Sequence, residues 1–287
     1  SHHYPDEYTG VDVHALDNIS LEVEEGELVS VVGPSGCGKS TLLNILAGLL
    51  PYRVGSAMVD GVQIEGPGPD RGVVFQEHAI LPWRTVNKNI GHGLEIRRLP
   101  REHIAKRVQE FVNLVGLAGF EDKYPHELSG GMKQRVMIAS AIACKPEFLI
   151  ADEPTTAIDV TVQARILDLL KDLNQKQNLT IIFVSHDLGV ISEICDRVLV
   201  MKNGKVVEQG TTQDIIFRPK DPYTQLLINS QPSVRAKLRQ SLGDVQLSHA
   251  IATNPVMSIK GLAVEFSGKQ APLFGLLGGS SIPPVKA

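Results

Sequence analysis

The stretch Gly33-Pro34-Ser35-Gly36-Cys37-Gly38-Lys39-Ser40-Thr41 decides the fold. It fits G-x-x-x-x-G-K-[ST], the spacing of a phosphate-binding loop. The apolar run Leu28-Val29-Ser30-Val31-Val32 before it predicts a buried strand, and residues 40–50 after it predict a helix. That strand–loop–helix setting is the context the motif requires. Gly33, Gly36 and Gly38 let the backbone wrap a phosphate without Cβ clashes. The freed N–H groups then point inward, at the positive end of the helix dipole. Lys39 is placed to reach the β- and γ-phosphates of a nucleotide, and Ser40 to ligate Mg²⁺. A glycine-rich turn that binds nothing accounts for neither flanking element.

Outward from the loop, strands and helices alternate. Residues 11–32 read as strands, with Glu24-Glu25-Gly26-Glu27 as a turn. Ala57-Met58-Val59 and Val62-Gln63-Ile64 flank Asp60-Gly61, the favoured two-residue hairpin signal. Lys205-Val206-Val207-Glu208 follows Val198-Leu199-Val200-Met201 across Asn203-Gly204 in the same way. Gly72-Val73-Val74-Phe75, Phe148-Leu149-Ile150-Ala151-Asp152 and Thr180-Ile181-Ile182-Phe183-Val184 are apolar runs of strand length. Over residues 81–145 the period becomes helical, with Ile104, Val108, Phe111, Val112 and Val115 on one face. A helix is expected after Ser129-Gly130-Gly131, and Pro146 stops it. The fold class is therefore α/β: a phosphate-loop core with a parallel sheet, an antiparallel β subdomain and an inserted helical subdomain. The expected division is a single phosphate-loop domain over residues 1–235 and a C-terminal extension over 236–287.

Composition narrows the function by exclusion. A net charge of −4 gives no electrostatic argument for nucleic acid or a membrane surface. The three cysteines, Cys37, Cys144 and Cys195, are widely spaced without C-x-x-C, which fits a reducing compartment and no metal cluster. No apolar run approaches a membrane span and no signal peptide is evident, so a membrane role is expected to go through a partner. His78, His92, His103 and His126 share no spacing and read as surface residues.

Further residues carry chemistry behind the loop. Asp152-Glu153 ends an apolar strand. Asp152 suits an Mg²⁺ held through water, and Glu153 can polarise an attacking water as general base. Gln76 follows a strand and can reach the metal or the water with its amide. His186 follows another strand and can hydrogen-bond a γ-phosphate. Ser129-Gly130-Gly131 opens a helix, so its N–H groups form a second anion site. Asp159 lies just beyond the catalytic strand. One nucleotide needs one cradle, so the economical use of a second is the nucleotide of another copy, head to tail.

These motifs, in this order, resemble the ATP-binding subunit of ABC transporters, in particular bacterial importers. Residues 33–41, Gln76, Leu128-Ser129-Gly130-Gly131, residues 148–153, residues 155–159 and His186 look like the family's Walker A, Q-loop, signature, Walker B, D-loop and H-loop. The likeness covers roughly residues 8–235. It implies a dimer sandwiching two ATP, with Mg²⁺, between one subunit's Walker A and the other's signature. It implies an aromatic residue stacking on adenine upstream of the loop, for which Tyr8 is the candidate and Tyr4 the runner-up. It also implies integral-membrane permease subunits, a solute-binding protein, and a peripheral place on the cytoplasmic face of the inner membrane. A soluble ABC-type ATPase in translation or repair is the alternative, but those usually carry two cassettes or long coiled-coil insertions. A kinase or GTPase leaves the signature and the Gln76/His186 pair unexplained.

The chain reads as a mosaic. Residues up to about 120, with Phe75-Gln76-Glu77-His78-Ala79-Ile80-Leu81-Pro82-Trp83, look like subunits importing nitrate, sulfonate or taurine. Residues from about 126, with Met132 after the signature, look like oligopeptide, dipeptide or nickel importers, as does Asp221-Pro222-Tyr223-Thr224-Gln225-Leu226-Leu227. Residues 257–266 look like the opening strand of another cassette, whereas residues 1–10 lack a convincing first strand. The glycine, serine and proline content of 267–287 favours a dispensable stub over a folded-back edge strand carrying Phe266 to the adenine. Deleting 254–287 is then expected to change little.

Overall fold

Leu28–Val32 (β4) is buried on both faces, because it lies inside a sheet covered on both sides. The computed structural model describes residues 3–5, 12–76, 79–155, 160–230 and 255–263. Around β4 run Arg71–Val74 (β7), Phe148–Asp152 (β8), Thr180–Val184 (β9), Arg197–Lys202 (β10) and Lys205–Thr211 (β11). Their order is β11-β10-β4-β9-β8-β7. All neighbours are parallel except β10 and β11, which form the hairpin read at Asn203-Gly204. Both turn residues have positive φ, 49° and 76°, as a two-residue hairpin turn demands.

Alternate residues of the sheet feed two cores. Val29, Val31, Ile150, Ile182 and Leu199 face Lys39–Leu46 (α1), the helix after the phosphate loop. Leu149, Ala151, Ile181, Phe183 and Val198 face the other way. There they meet Gly130–Ile142 (α5), Val160–Gln177 (α6), Leu188–Ile194 (α7) and Thr212–Phe217 (α8). Val86–Ile90 (α2), His92–Ile96 (α3) and Arg101–Leu114 (α4) join α5 between β7 and β8 in the chain. Pro222–Asn229 (α9) follows, its first N–H groups capped by Asp221.

A second, antiparallel sheet closes over α1. It contains Ile19–Glu24 (β3), Val54–Val59 (β5), Val62–Gln63 (β6) and, between β3 and β5, Pro255–Ala263 (β12). This overturns the reading of a stub over residues 255–263, while residues 264–287 lie outside the described residues. Pro255–Ala263 is an interior strand, not an edge, and Met257, Ile259 and Leu262 are completely buried. The folded-back alternative holds in part: the segment returns to the sheet, but as an interior strand paired on both sides, and Phe266 lies outside the described residues. His3–Pro5 (β1) and Asp12–His14 (β2) form a separate two-stranded ribbon, paired among the described residues with each other alone. Arg197 ties the two sheets, donating to Glu27 at 2.6 and 2.9 Å and to the Glu22 carbonyl.

Candidate functional site

The C-terminal ends of the parallel strands converge on one surface, where β4 runs into the phosphate loop and α1. Gly38 holds the N-cap of α1 at φ 103°, and a Cβ there would collide with the Ala15 carbonyl and Leu16. Only glycine meets both constraints. Lys39 arches back across the loop and donates to the carbonyls of Gly33 at 2.8 Å and Pro34 at 3.0 Å. It thus lies where phosphate oxygens would compete for the same ammonium. Ser40 is exposed at the helix start, Thr41 and Cys37 are buried, and Pro34, Ser35 and Gly36 face solvent.

Strand β8 delivers two carboxylates beside the loop. Burial and the charge of Glu153 raise the Asp152 carboxyl above its ordinary range, and Lys39 pulls it part of the way back. Asp152 and Lys39 are therefore electrostatic neighbours, though their motifs are far apart in sequence. Glu153 has φ 45°, a left-handed conformation uncommon for a non-glycine residue, and its N–H donates to the Val184 carbonyl at 3.0 Å. That turn swings its carboxylate toward two partners. Gln76 Nε2 donates to Glu153 Oε2 at 3.3 Å, and His186 Nδ1 lies 3.5 Å from Glu153 Oε1. Gln76 and His186 are exposed, whereas Glu153 is mostly covered. The three residues read separately from the sequence thus meet at one carboxylate.

A raised carboxyl opposes folding. Asp152 binds its proton more tightly in the folded chain, so its cost appears as pH rises past the ordinary carboxylate range and is complete above its folded-state pKa. Asp152→Asn is expected to raise Tm at pH 7, with the gain fading as pH falls, while Mg²⁺-dependent ATP binding is lost. Thermal melts across pH and a nucleotide titration with and without Mg²⁺ check both halves. The oxygen donors Ser40, Asp152 and Gln76 suit a hard cation such as Mg²⁺. Among the described residues no cluster of three or more His, Cys, Asp and Glu forms a metal cage.

The signature residues lie elsewhere. Ser129 is the N-cap of α5, its Oγ accepting from Met132 N at 3.4 Å, and Ser129 and Gly130 are exposed. A Cβ on Gly131 would strike Val162 of α6. Helix α5 packs against α2, α4, α6 and β7, on the far side of the sheet from α1. Tyr8 and Asp159 lie outside the described residues. Tyr4 is described only in its backbone, which pairs with Val13 in the β1–β2 ribbon.

Gly204 escaped the reading of the sequence as more than a turn residue. Its N–H donates to the Cys37 carbonyl at 3.0 Å, and its own carbonyl accepts from Asp17 N at 2.8 Å. The hairpin turn thereby braces the phosphate loop, through contacts that no local spacing encodes.

The family description for the ABC transporter matches residues 16–156, and that for the oligopeptide/dipeptide transporter C-terminal region matches residues 207–254. The methionine import ATP-binding protein MetN of Carboxydothermus hydrogenoformans is 42% identical over 267 residues, covering 90% of this chain and 77% of that protein. The chain belongs to the ABC transporter ATP-binding proteins. An uncharacterized ABC transporter ATP-binding protein of Methanocaldococcus jannaschii, MJ0412, is 46% identical over 75% of this chain and 80% of its own length. The dimeric, post-hydrolysis structure of the ATP-binding cassette MJ0796 with ADP and Pi superposes with a TM-score of 0.65 at 33% identity. It covers 72% of this chain and 94% of that one. The chain is thus an ABC ATPase with the α/β architecture expected of it, and the peptide-importer likeness of its C-terminal region is borne out over residues 207–254.

Proposed function

We propose that this ABC ATPase powers solute uptake through membrane permease subunits, hydrolysing ATP in a head-to-tail dimer. The observation that carries the reading is the meeting of Gln76, Glu153 and His186 at one strand end, beside Lys39 and Asp152. In this assignment the loop N–H groups of residues 33–41 and Lys39 bind the phosphates. Ser40, Asp152 and Gln76 hold Mg²⁺, which supplies charge neutralisation on the phosphate oxygens. Glu153 takes the proton of the attacking water, Gln76 orients that water, and His186 steadies the terminal phosphate. Asp159 and Tyr8 are assigned to the nucleotide by the family likeness, Tyr8 to its adenine. Ser129 and Gly130, exposed on a separate helix end, and Gly131, buried behind them, serve the nucleotide of the partner subunit.

Import is favoured by the methionine-import relative and by the oligopeptide/dipeptide match, which also point to an amino-acid or peptide solute and its binding protein. No described helix is long and apolar enough to cross a membrane, so attachment to the cytoplasmic face is assigned to the permease. The two domains proposed are an ATPase domain over residues 1–235 and an extension over 236–287 whose strand completes it.

Ser129→Arg tests the dimer. Hydrolysis is expected to fall by about 10²-fold or more, the scale of losing a transition-state contact, with ATP affinity of the monomer unchanged. Phosphate release and a nucleotide titration read the two separately. An affinity loss in the monomer itself would place the signature in its own subunit's site and sink the head-to-tail reading.

A further inference from the structure

Strand β12 fills a gap that the rest of the antiparallel sheet leaves open. Met257 pairs with Val23 and Val59, Ile259 with Leu21 and Ala57, and Leu262 with Ile19. Without β12, β3 and β5 would present two unpaired edges toward each other, the arrangement that recruits an extended peptide.

The gap is shaped for this strand. The register slips by one residue between Ile259 and Leu262, a β-bulge at Gly261, whose φ is 59°. The bulge returns Leu262 to the buried face that Ile259 occupies. Facing it, β5 carries Gly55, where a Cβ would run into the Gly261–Leu262 backbone. The Gly261 N–H also donates to Ser20 Oγ at 3.2 Å, and Lys260 pairs with Glu22 at 3.3 Å. A strand of another sequence would meet neither the bulge nor the charge.

Strand β3 then leads to the phosphate loop by two contiguous routes. Leu16, just before it, packs on Gly38. Asp17 N bonds the Gly204 carbonyl, and Gly204 N bonds the Cys37 carbonyl. Seating β12 fixes β3, and β3 fixes the backing of the loop.

We propose that the gap between β3 and β5 is a strand-acceptor site, that its ligand is this chain's own segment 257–262, bound as a separable element, and that its occupancy sets the loop's affinity for nucleotide. The last clause rests on the nucleotide-binding reading above; the first two do not. While the segment is tethered its effective concentration is high, and cutting the tether removes that advantage.

The test uses the full chain with a site-specific protease sequence inserted between residues 231 and 254. The folded protein is cleaved, and a fluorescent peptide of residues 255–263 is added. Its anisotropy should rise and be reversed by unlabelled peptide, but not by peptide carrying Ile259→Asp. Depleting the cleaved segment by gel filtration should weaken ATP binding by about tenfold or more, within the usual range of coupling between sites, and peptide should restore it. No peptide uptake overturns the acceptor site. Uptake with unchanged ATP affinity overturns the coupling alone. A nucleotide-free dimer of the uncut chain that dissociates on cleavage overturns the assignment to the chain's own segment. Should the depleted protein unfold, Gly55→Ala in the uncut chain is the second arm. It should expose the amides of 257–262 to hydrogen exchange and weaken ATP binding by a similar factor; full protection would overturn the shaped fit.

Discussion

Glu153→Gln is expected to cut ATP hydrolysis by roughly 10²- to 10⁴-fold, the worth of a positioned general base. ATP affinity should stay within about threefold, because the variant removes no phosphate contact. The backbone at 153 is held at φ 45° by the bond from its N–H to Val184, which Gln preserves, so the side chain should keep its place. The amide can still meet Gln76 and His186 but has no basic lone pair with which to accept a proton from water. With binding intact and hydrolysis stalled, the variant should accumulate as an ATP-bound dimer. Phosphate release, nucleotide titration and gel filtration with ATP measure the three consequences. Hydrolysis at the wild-type rate would remove Glu153 from the chemistry and leave the convergence of Gln76 and His186 on it without a catalytic meaning.

The parts of the site that the sequence shows are those in which local geometry carries the signal. The phosphate loop needs left-handed glycines between a strand and a helix, and the glycine spacing states this directly. Asp60-Gly61 and Asn203-Gly204 are turns because both residues of each pair take positive φ, and they flank alternating apolar residues. The strand that ends in Asp152-Glu153 announces itself by being apolar at every position from Phe148 to Ala151, since helices cover both faces of its sheet.

What stayed hidden depends on long-range neighbours. The left-handed turn at Glu153 follows from a bond to Val184 on the adjacent strand, and nothing near Glu153 in the sequence requires it. Gly204 reads as a hairpin residue until the fold brings it against Cys37. The elevated Asp152 carboxyl arises from burial that only the assembled core supplies. The place of strand β12 is the largest such case, for residues 257–266 read as a strand but not as one inside this sheet. Its partners lie at the opposite end of the chain, its alternation is broken by Gly261, and the residues around it resemble a tail in composition. The bulge that hides the period from the sequence is the feature that keeps Ile259 and Leu262 on one buried face.

Removing residues 254–287 is therefore expected to destabilise the protein severely, against the expectation from composition alone. Met257, Ile259 and Leu262 sit at zero exposure in the core that contains α1, and β3 loses its ladder partner and β5 one of its two. Fully burying such side chains is worth about 1.5–3 kcal/mol each, so the three together approach the whole stability of a typical domain, about 5–15 kcal/mol. The truncated chain should melt well below the intact protein, and added peptide of residues 255–263 should recover part of the loss. A milder probe is Ile259→Ala, which leaves the strand but opens a cavity between Leu21 and Ala57. Such a cavity costs about 2–5 kcal/mol, and at this size that lowers Tm by roughly 5–15 °C. Lys260→Ala is the control, since its ion pair with Glu22 is exposed and worth at most about 1 kcal/mol. Scanning calorimetry of the three variants separates the accounts. A truncated protein that melts like the intact one would mean that β3 and β5 close the gap by themselves, and the strand would return to being a passenger.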